Sequence, residues 1–238
     1  MLKKYFQLIL LAVITMTCDK SNNGVQPIVI NESDEFNVCN SIVTDCRNGG
    51  SVYCLNGFKW GESNPLSQKG GNVLGPQEAA GTITFSFQEE NGLVNTHAQV
   101  DLPSKSFSNL PNCAKDQIRK ALDEWSSVAN ISFEEMVENS DSDIRFFVAD
   151  IRQSGVAFPN FPVAPCNLLG GDLVIKTDLW TSDCNVLYNF FLHEIGHVLG
   201  LGHVGTKNIM NADFSEVEAL DGLQAGDIEG VVQLYGKK

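Results

Sequence analysis

Positive charge is scarce in this sequence, which has 16 lysines and arginines against 29 aspartates and glutamates. The formal net charge of −13 argues against nucleic acid or an anionic membrane surface as the main partner, because both attract basic proteins. With 43% apolar and 19% charged residues, the composition is that of an ordinary globular protein. The chain is long enough for one sizeable core and a small appendage.

Long apolar runs are missing as well. The stretch from about Tyr5 to Met16 follows two lysines and is too short to span a membrane, but it is typical of a secretory signal peptide. It ends at Cys18, so residues 1–18 resemble a bacterial lipoprotein signal in which the cysteine carries the lipid. The three residues before Cys18 depart from the usual pattern. We therefore predict an outer-membrane or cell-surface lipoprotein that contacts the membrane only through this anchor, with a plain secreted protein as the alternative.

The C-x-x-C spacing of cysteine zinc sites is absent among the seven cysteines. With Cys18 set aside as an anchor, an even number remains, as expected for disulfides in an oxidising compartment. Their spacing does not determine which cysteine pairs with which. The remaining cysteines are Cys39, Cys46, Cys54, Cys113, Cys166 and Cys184.

The chain after the signal divides into two parts. Residues 19–56 are polar and rich in Asn, Ser and Gly, which is typical of a tether or a small pro-segment. From residue 57 to residue 238, apolar periodicity and turn signals alternate as in a folded domain. We therefore expect one structured domain over residues 57–238.

The pattern of this domain predicts an α+β fold. Strands are expected at "TITFSF", "ISFEEMV", "DIRFFVAD" and "LVIKT", where β-branched and aromatic residues recur. Three helices are expected, at residues 111–128 with Asn112 as a cap, at residues 184–199 capped by Ser182 or Asp183, and at residues 221–235 closed by Gly236. Strands and helices do not alternate strictly, so a parallel doubly wound sheet is not predicted.

Histidine is also rare, yet three of the four histidines fall within "HEIGHVLGLGH", residues 193–203. His193 and His197 lie four residues apart on a predicted helix and therefore project from one face. Gly200 tolerates the left-handed conformation that ends a helix, so the chain can turn and bring His203 back to the same point. Three imidazoles with one open position are the arrangement of catalytic zinc. The fourth histidine, His97, stands alone and is expected to be a surface residue.

Glu194 lies next to the first of these histidines, about 100° round the helix. From there it can reach a water at the metal without being a ligand itself. We predict that Glu194 takes the proton of this water and later passes it to the leaving amine. A histidine on a helix is usually structural, but here the glycine and the third histidine are also in register with the first two.

The motif H-E-x-x-H-x-x-G-x-x-H resembles the zinc-binding signature of the metzincin metallopeptidases. Within that group the chain is most similar to the matrixins, through "SDIRFFVAD", "VAFP", "GGD", Trp180 and the final "DIEGVVQLYG". The resemblance implies a metzincin fold with a mixed five-stranded twisted sheet, three helices and a small C-terminal subdomain. It also implies a polypeptide substrate that lies extended along an edge strand.

The resemblance further implies two supports of the zinc site. Met210, in "NIM", corresponds to the family's methionine turn under the metal, although ordinary core packing is the alternative. Asp227 stands where the last helix of the family has an aspartate that supports this turn, although a surface acidic residue is the alternative.

Of the two other metal sites that the resemblance implies, the second zinc site lacks its histidines, whereas the calcium site keeps its oxygen donors. Val156 and Val174 stand where matrixins have histidines of a second, structural zinc, so only one zinc is expected. Asp143, Asp172 and the carbonyls of Leu168 and Gly170 match a family calcium site and all offer oxygen. Asp172 in "GGD" can alternatively shape a turn.

The resemblance leaves latency open, because matrixin pro-segments often block the zinc with a cysteine and some bacterial relatives use an aspartate. Cys39, Cys46 and Cys54 lie in that general region of the chain, but no switch motif of the family surrounds them. Disulfide formation is therefore the favoured role of these three cysteines.

The leading interpretation is a zinc-dependent metalloendopeptidase with Glu194 as general base. One alternative is a catalytically silent peptide-binding lipoprotein on a metzincin scaffold, although such losses typically remove a ligand or the base. Another is a hydrolase of non-peptide amides, which the matrixin-like flanking segments disfavour.

Overall fold

A computed structural model describes residues 43–57, 59–61, 81–89, 91–95, 101–150, 155–157 and 171–238. Several predictions concern residues outside this part of the chain: the signal peptide and lipidated Cys18, the disulfide partners Cys39 and Cys166, the lone His97, and the calcium carbonyls of Leu168 and Gly170. Within the described residues, no helix combines the length and the apolar character needed to cross a membrane.

One mixed sheet of seven strands forms the centre of the fold. Its strands are β1 (Thr82–Gln88), β2 (Gly92–Asn95), β3 (Asp101–Lys105), β4 (Ser132–Glu135), β5 (Ile144–Ala149), β6 (Gly155–Ala157) and β7 (Asp172–Lys176). All four strands expected from the sequence are present.

Five of these strands form a continuous series in the order β4-β1-β5-β7-β6. The pairs β4–β1, β1–β5 and β5–β7 are parallel, whereas β6 runs antiparallel to β7. This series matches the five-stranded sheet that the sequence predicted. The sheet is larger than expected because β2 and β3 form an antiparallel hairpin, and β3 pairs with the end of β5.

The helices are α1 (Ala114–Val128), α2 (Cys184–Val198), the single turn α3 (Phe214–Val217) and α4 (Ala225–Tyr235). Asn112 was the wrong cap for α1, because the N–H of Ala114 donates to the carbonyl of Pro111 and residues 111–113 form a turn. The expected start of α4 at residue 221 was also wrong. Gly222 adopts a positive φ of 77°, and Gln224 is the N-cap in a capping box with Asp227.

The core lies between the sheet and helices α1 and α2. Trp125 of α1 is fully buried, and its indole N–H donates to the carbonyl of Leu192 in α2 at 3.1 Å. A disulfide between Cys113 and Cys184 joins the starts of the same two helices. Helix α2 is thus held firmly at its first residue and near its middle.

Residues 43–57, which we call the N-terminal loop, pack on the domain. A disulfide joins Cys46 to Cys54, so disulfide formation is confirmed for two of the three cysteines in this region. Cys54 and Leu55 are buried in the main hydrophobic core. The sequence placed the start of the folded domain at residue 57. The packed core extends further toward the N-terminus, because Cys54 and Leu55 belong to it.

Candidate metal centre and active site

Helix α2 positions the first two histidines of the motif. It begins after Asp183, whose carboxylate accepts a hydrogen bond from the backbone N–H of Asn185 at 2.8 Å, as an N-cap does. From Leu187 onward almost every residue of the helix is buried. His193 and His197 are therefore held on a helix whose orientation the core determines.

A turn at Gly200 brings the third histidine to the other two. Gly200 has a φ of 106°, a conformation that L side chains rarely adopt. The N–H groups of Gly200 and Leu201 donate to the carbonyls of His197 and Gly196, which ends the helix with satisfied carbonyls. The chain then reverses direction and reaches His203.

The Nε2 atoms of the three histidines converge on one point. The Nε2 of His197 lies 3.1 Å from that of His193 and 3.1 Å from that of His203, and the remaining pair is 3.3 Å apart. Tetrahedral zinc with Zn–N bonds of about 2.05 Å separates its nitrogen ligands by roughly 3.3 Å. The spacing of the three nitrogens therefore fits a single zinc ion.

Hydrogen bonds on the far side of two rings determine which nitrogen carries the proton. The Nδ1–H of His193 donates to the carbonyl of Ile209 at 2.7 Å, and that of His197 donates to the carbonyl of Leu201 at 2.8 Å. A carbonyl only accepts, so Nδ1 must be the protonated nitrogen in each ring. The lone pair of Nε2 is then available to a metal.

The three imidazoles are also kept neutral. Burial, with the neighbouring His203, lowers the pKa of His193 to about 4. Burial likewise places the pKa of His197 well below its ordinary value and lowers the pKa of His203. Neutral rings are the form that binds a metal, so the site is ready to take an ion at neutral pH.

Glu194 follows the first histidine on α2 and is half-buried, unlike the histidines at positions 193 and 197, which are buried. Its position on the helix is consistent with a role beside the ion rather than as a ligand.

Met210 packs against the helix that carries the first two histidines. A Cβ added to Gly196, the residue directly before His197, would overlap the Sδ of Met210. The Met210 carbonyl accepts a hydrogen bond from the N–H of Val204, directly after His203. The methionine thus contacts both segments that carry the ligands.

Asp227 connects α4 to the turn that contains Met210. Its buried carboxylate accepts hydrogen bonds from the N–H groups of Ile209 at 2.8 Å, Met210 at 3.0 Å and Gln224 at 2.8 Å. Burial raises the pKa of this carboxyl, against the effect of these hydrogen bonds. The N–H of Met210 and the carbonyl of Ile209 belong to the same peptide unit, and that carbonyl is the acceptor that orients His193. Asp227 therefore acts on His193 through one peptide unit.

The two carboxylates of the expected calcium site, Asp143 and Asp172, accept hydrogen bonds from other residues of the chain. Both carboxylate oxygens of Asp172 accept from Arg145, at 2.7 and 2.8 Å, in a buried ion pair. Asp143 Oδ2 accepts from the N–H and the hydroxyl of Thr84. The calcium site stays a prediction, since its two carbonyls lie outside the described residues.

The prediction of a single zinc rests on Val156 and Val174. The two valines are cross-strand neighbours in the β6–β7 pair, and a valine offers no donor atom to a metal. This prediction likewise awaits a metal analysis.

Two contributors to the site were not found from the sequence. Gly196 provides the space for Met210, and Asn56 lies at the carbonyl that orients His197. Gly196 stands at an unrestricted position of the motif. Asn56 is 145 residues from the carbonyl it contacts. Neither position carries a local signal in the sequence.

The family model described as Matrixin matches residues 104–236. The chain is 32% identical over 145 residues to matrix metalloproteinase-26 of Homo sapiens, covering 54% of this chain and 53% of that protein. It is 31% identical over 146 residues to serralysin of Proteus mirabilis, covering 53% of this chain and 28% of that protein. The chain thus spans about half the length, or less, of these curated relatives.

Proposed function

This chain belongs to the matrixin family, and on that premise we propose that it is a zinc-dependent metalloendopeptidase. The observation that carries the proposal is the convergence of three neutral imidazole nitrogens, 3.1 to 3.3 Å apart, with a glutamate directly after the first ligand. Family membership supports the reaction class. The substrate and the roles of individual residues belong to the proposal.

His193, His197 and His203 would hold the zinc ion, whose Lewis acidity polarises a carbonyl and makes water a nucleophile near neutral pH. Glu194 accepts the proton of the attacking water and returns it to the amine that leaves. The buried helix around Glu194 limits the access of bulk water, which strengthens its interactions with the reacting atoms.

A polypeptide would bind in extended form along β6, the outer strand of the five-strand series. β6 is paired to β7 on one side and packs against α2, the helix of the first two ligands. Main-chain hydrogen bonds to such an edge would hold the substrate in register with the histidines.

Export and additional metals complete the proposal. The signal-like residues 1–18 support export, with lipidation at Cys18 for surface attachment. A Cys18→Ser variant should leave the membrane fraction. One zinc per chain is expected, and calcium is proposed at Asp143 and Asp172 with the carbonyls of Leu168 and Gly170.

The alternative function is peptide binding without catalysis on the same scaffold. It is disfavoured because the three ligands and Glu194 are all retained. The alternative predicts metal-dependent peptide binding with no cleavage.

Incubation of the full chain with casein or gelatin tests the proposal, with and without chelator. Glu194→Ala should abolish cleavage while the protein retains one zinc ion, because Glu194 is not a ligand. Glu216→Ala, at an exposed position, is the control and should cleave as the parent does. Equal cleavage by Glu194→Ala would refute the role of the glutamate, and binding of peptides without any cleavage would favour the alternative.

A further inference from the structure

The backbone of His203 is held on both sides by the N-terminal loop. The N–H of His203 donates to the carbonyl of Thr44 at 2.8 Å, and the N–H of Cys46 donates to the carbonyl of His203 at 2.9 Å. These two bonds form a parallel bridge between Asp45 and His203. The third zinc ligand is therefore fixed by a segment more than 140 residues earlier in the chain.

The other end of the N-terminal loop holds the residues that lead to His203. The N–H of Gly202 donates to the carbonyl of Cys54 at 2.9 Å, and the N–H of Asn56 donates to the carbonyl of Gly200 at 2.8 Å. The Cys46–Cys54 disulfide closes the loop between its two ends. The turn at residues 200–203 therefore lies between two segments that are covalently joined.

The side chain of Asn56 connects the two ends of the N-terminal loop to the turn at residues 200–203. It is fully buried, its Oδ1 accepts from the N–H of Thr44 at 2.8 Å, and its Nδ2 donates to the carbonyl of Leu201 at 2.9 Å. The same carbonyl accepts from Nδ1 of His197. Asn56 thus orients the Leu201 carbonyl, which is the acceptor of His197. It also holds Thr44, whose carbonyl accepts from the backbone of His203.

Glycines of the domain leave room for the N-terminal loop. A Cβ at Gly202 would overlap the carbonyl oxygen of Thr44, and one at Gly226 in α4 would overlap that of Val52. A Cβ at Gly205 would lie 2.9 Å from the carbonyl oxygen of Arg47. The zinc-binding segment and the last helix are therefore shaped to receive this loop.

The loop does not block the metal position with a side chain. Among the described residues, the cluster of side chains that could share one ion consists of the three histidines. The carboxylate of Asp45, the residue bridged to His203, is instead engaged by Arg47, with contacts of 2.6 to 3.0 Å. A segment that inhibits by occupying the metal would present a ligand atom to it.

We propose that residues 43–57 are retained in the active enzyme as a support of the zinc site, with Asn56 as a positioning residue for His197 and His203. The proposal rests on the proposed function only in assigning these histidines as zinc ligands. Any cleavage that matures the enzyme then lies before Val43.

The test measures the zinc dissociation constant of the full chain by competition with a chromogenic chelator. Asn56→Ala should weaken zinc binding by about 10- to 100-fold, as removal of a group that orients metal ligands typically does. Asn48→Ala, at an exposed position of the same loop, is the matched control and should stay within about twofold of the parent.

A variant that is merely less stable must be distinguished from one with a displaced ligand. The variant Phe107→Leu shrinks a buried ring that packs on Phe87 of β1, outside the loop and the zinc-binding segment, so it should lower the urea midpoint of unfolding without weakening zinc binding at 25 °C. Circular dichroism of the metal-free proteins verifies that each variant is folded. If Asn56→Ala does not fold, Cys46→Ser/Cys54→Ser replaces it, with weaker zinc binding again expected.

Zinc affinity within about twofold of the parent in the folded loop variant would overturn the proposal. The N-terminal residue of the active protein recovered after export gives a second check, and a start after Val43 would also overturn it. A parent protein that binds zinc but cleaves no polypeptide would refute the proposed function and leave this inference intact.

Discussion

The Oδ1 atom of Asp227 accepts a hydrogen bond from the backbone N–H of Met210 at 3.0 Å. Through this bond the last helix holds the turn whose Met210 side chain packs against Gly196 of α2. The other carboxylate oxygen accepts from Ile209, whose carbonyl orients His193. A single buried side chain therefore couples the last helix to a histidine of the proposed zinc site.

Replacement of this carboxylate should weaken both the fold and the site. Asp227→Asn replaces one carboxylate oxygen by an amide donor, and because both oxygens accept backbone N–H groups, at least one of the three donors is left unpaired at a cost of about 1–3 kcal/mol. Urea unfolding should show that loss, and zinc affinity should fall as well. Asp221→Asn, at an exposed position before α4, is the control. Unchanged stability in Asp227→Asn would contradict the assigned role.

Gly196→Ala should lower the free energy of unfolding. The new Cβ would overlap the Sδ of Met210 and lie 3.2 Å from Cζ2 of Trp125. Overpacking of this kind costs about 1–3 kcal/mol, which outweighs the gain of about 1 kcal/mol from replacing a helical glycine by alanine.

A double-mutant cycle with Met210→Ala isolates this contact. The second change removes the sulfur, so Gly196→Ala should be less harmful in the Met210→Ala background than in the parent. Identical losses in both backgrounds would show that Met210 is not the group that excludes a Cβ at position 196.

Removal of the metal should lower the thermal midpoint of unfolding. A ligand that binds only the folded state stabilises it by about 2.7 kcal/mol when present at roughly 100 times its dissociation constant. A zinc-selective chelator, which leaves bound calcium in place, should therefore shift the melting temperature of the parent downward in differential scanning calorimetry. His203→Ala should melt at the same temperature with and without chelator. A chelator-dependent shift that persists in His203→Ala would place the stabilising ion elsewhere.

Acid should remove a small contribution of the Glu135–Arg119 ion pair. The hydrogen bond from Arg119 lowers the pKa of Glu135 below its ordinary 4.5. A carboxyl with a lowered folded-state pKa stabilises the protein above its unfolded pKa and loses that contribution as the pH falls through the folded value. Both side chains are more than a third exposed, so solvent screening limits the effect to less than about 1 kcal/mol.

The variant Glu135→Gln tests this pair in chelator. Its deficit in stability relative to the parent, measured by urea unfolding, should be larger at pH 7 than at pH 3. Glu134→Gln, exposed on the same strand, is the matched control. A deficit that is equal at both pH values would mean that the ion pair contributes nothing.

Local patterns predicted much of the fold. Alternating β-branched and aromatic residues located β1 and β5 to within one or two residues, and Asp183 was correctly among the expected caps of α2. These features depend on neighbours in the chain, which the sequence contains directly. The start of α4 was misplaced because the capping box and the positive φ of Gly222 outweighed the apolar pattern before it.

The sequence by itself identified the three histidines of the proposed zinc site, since the helix period and the glycine at position 200 bring three imidazoles together within eleven residues. Only the tertiary structure decided how those imidazoles are oriented. The acceptor of His193 depends on Asp227 in the last helix, and the acceptor of His197 and the backbone of His203 depend on the N-terminal loop. These partners come from distant parts of the chain, and they meet because packing of the core, rather than any local pattern, determines which backbone groups face each other.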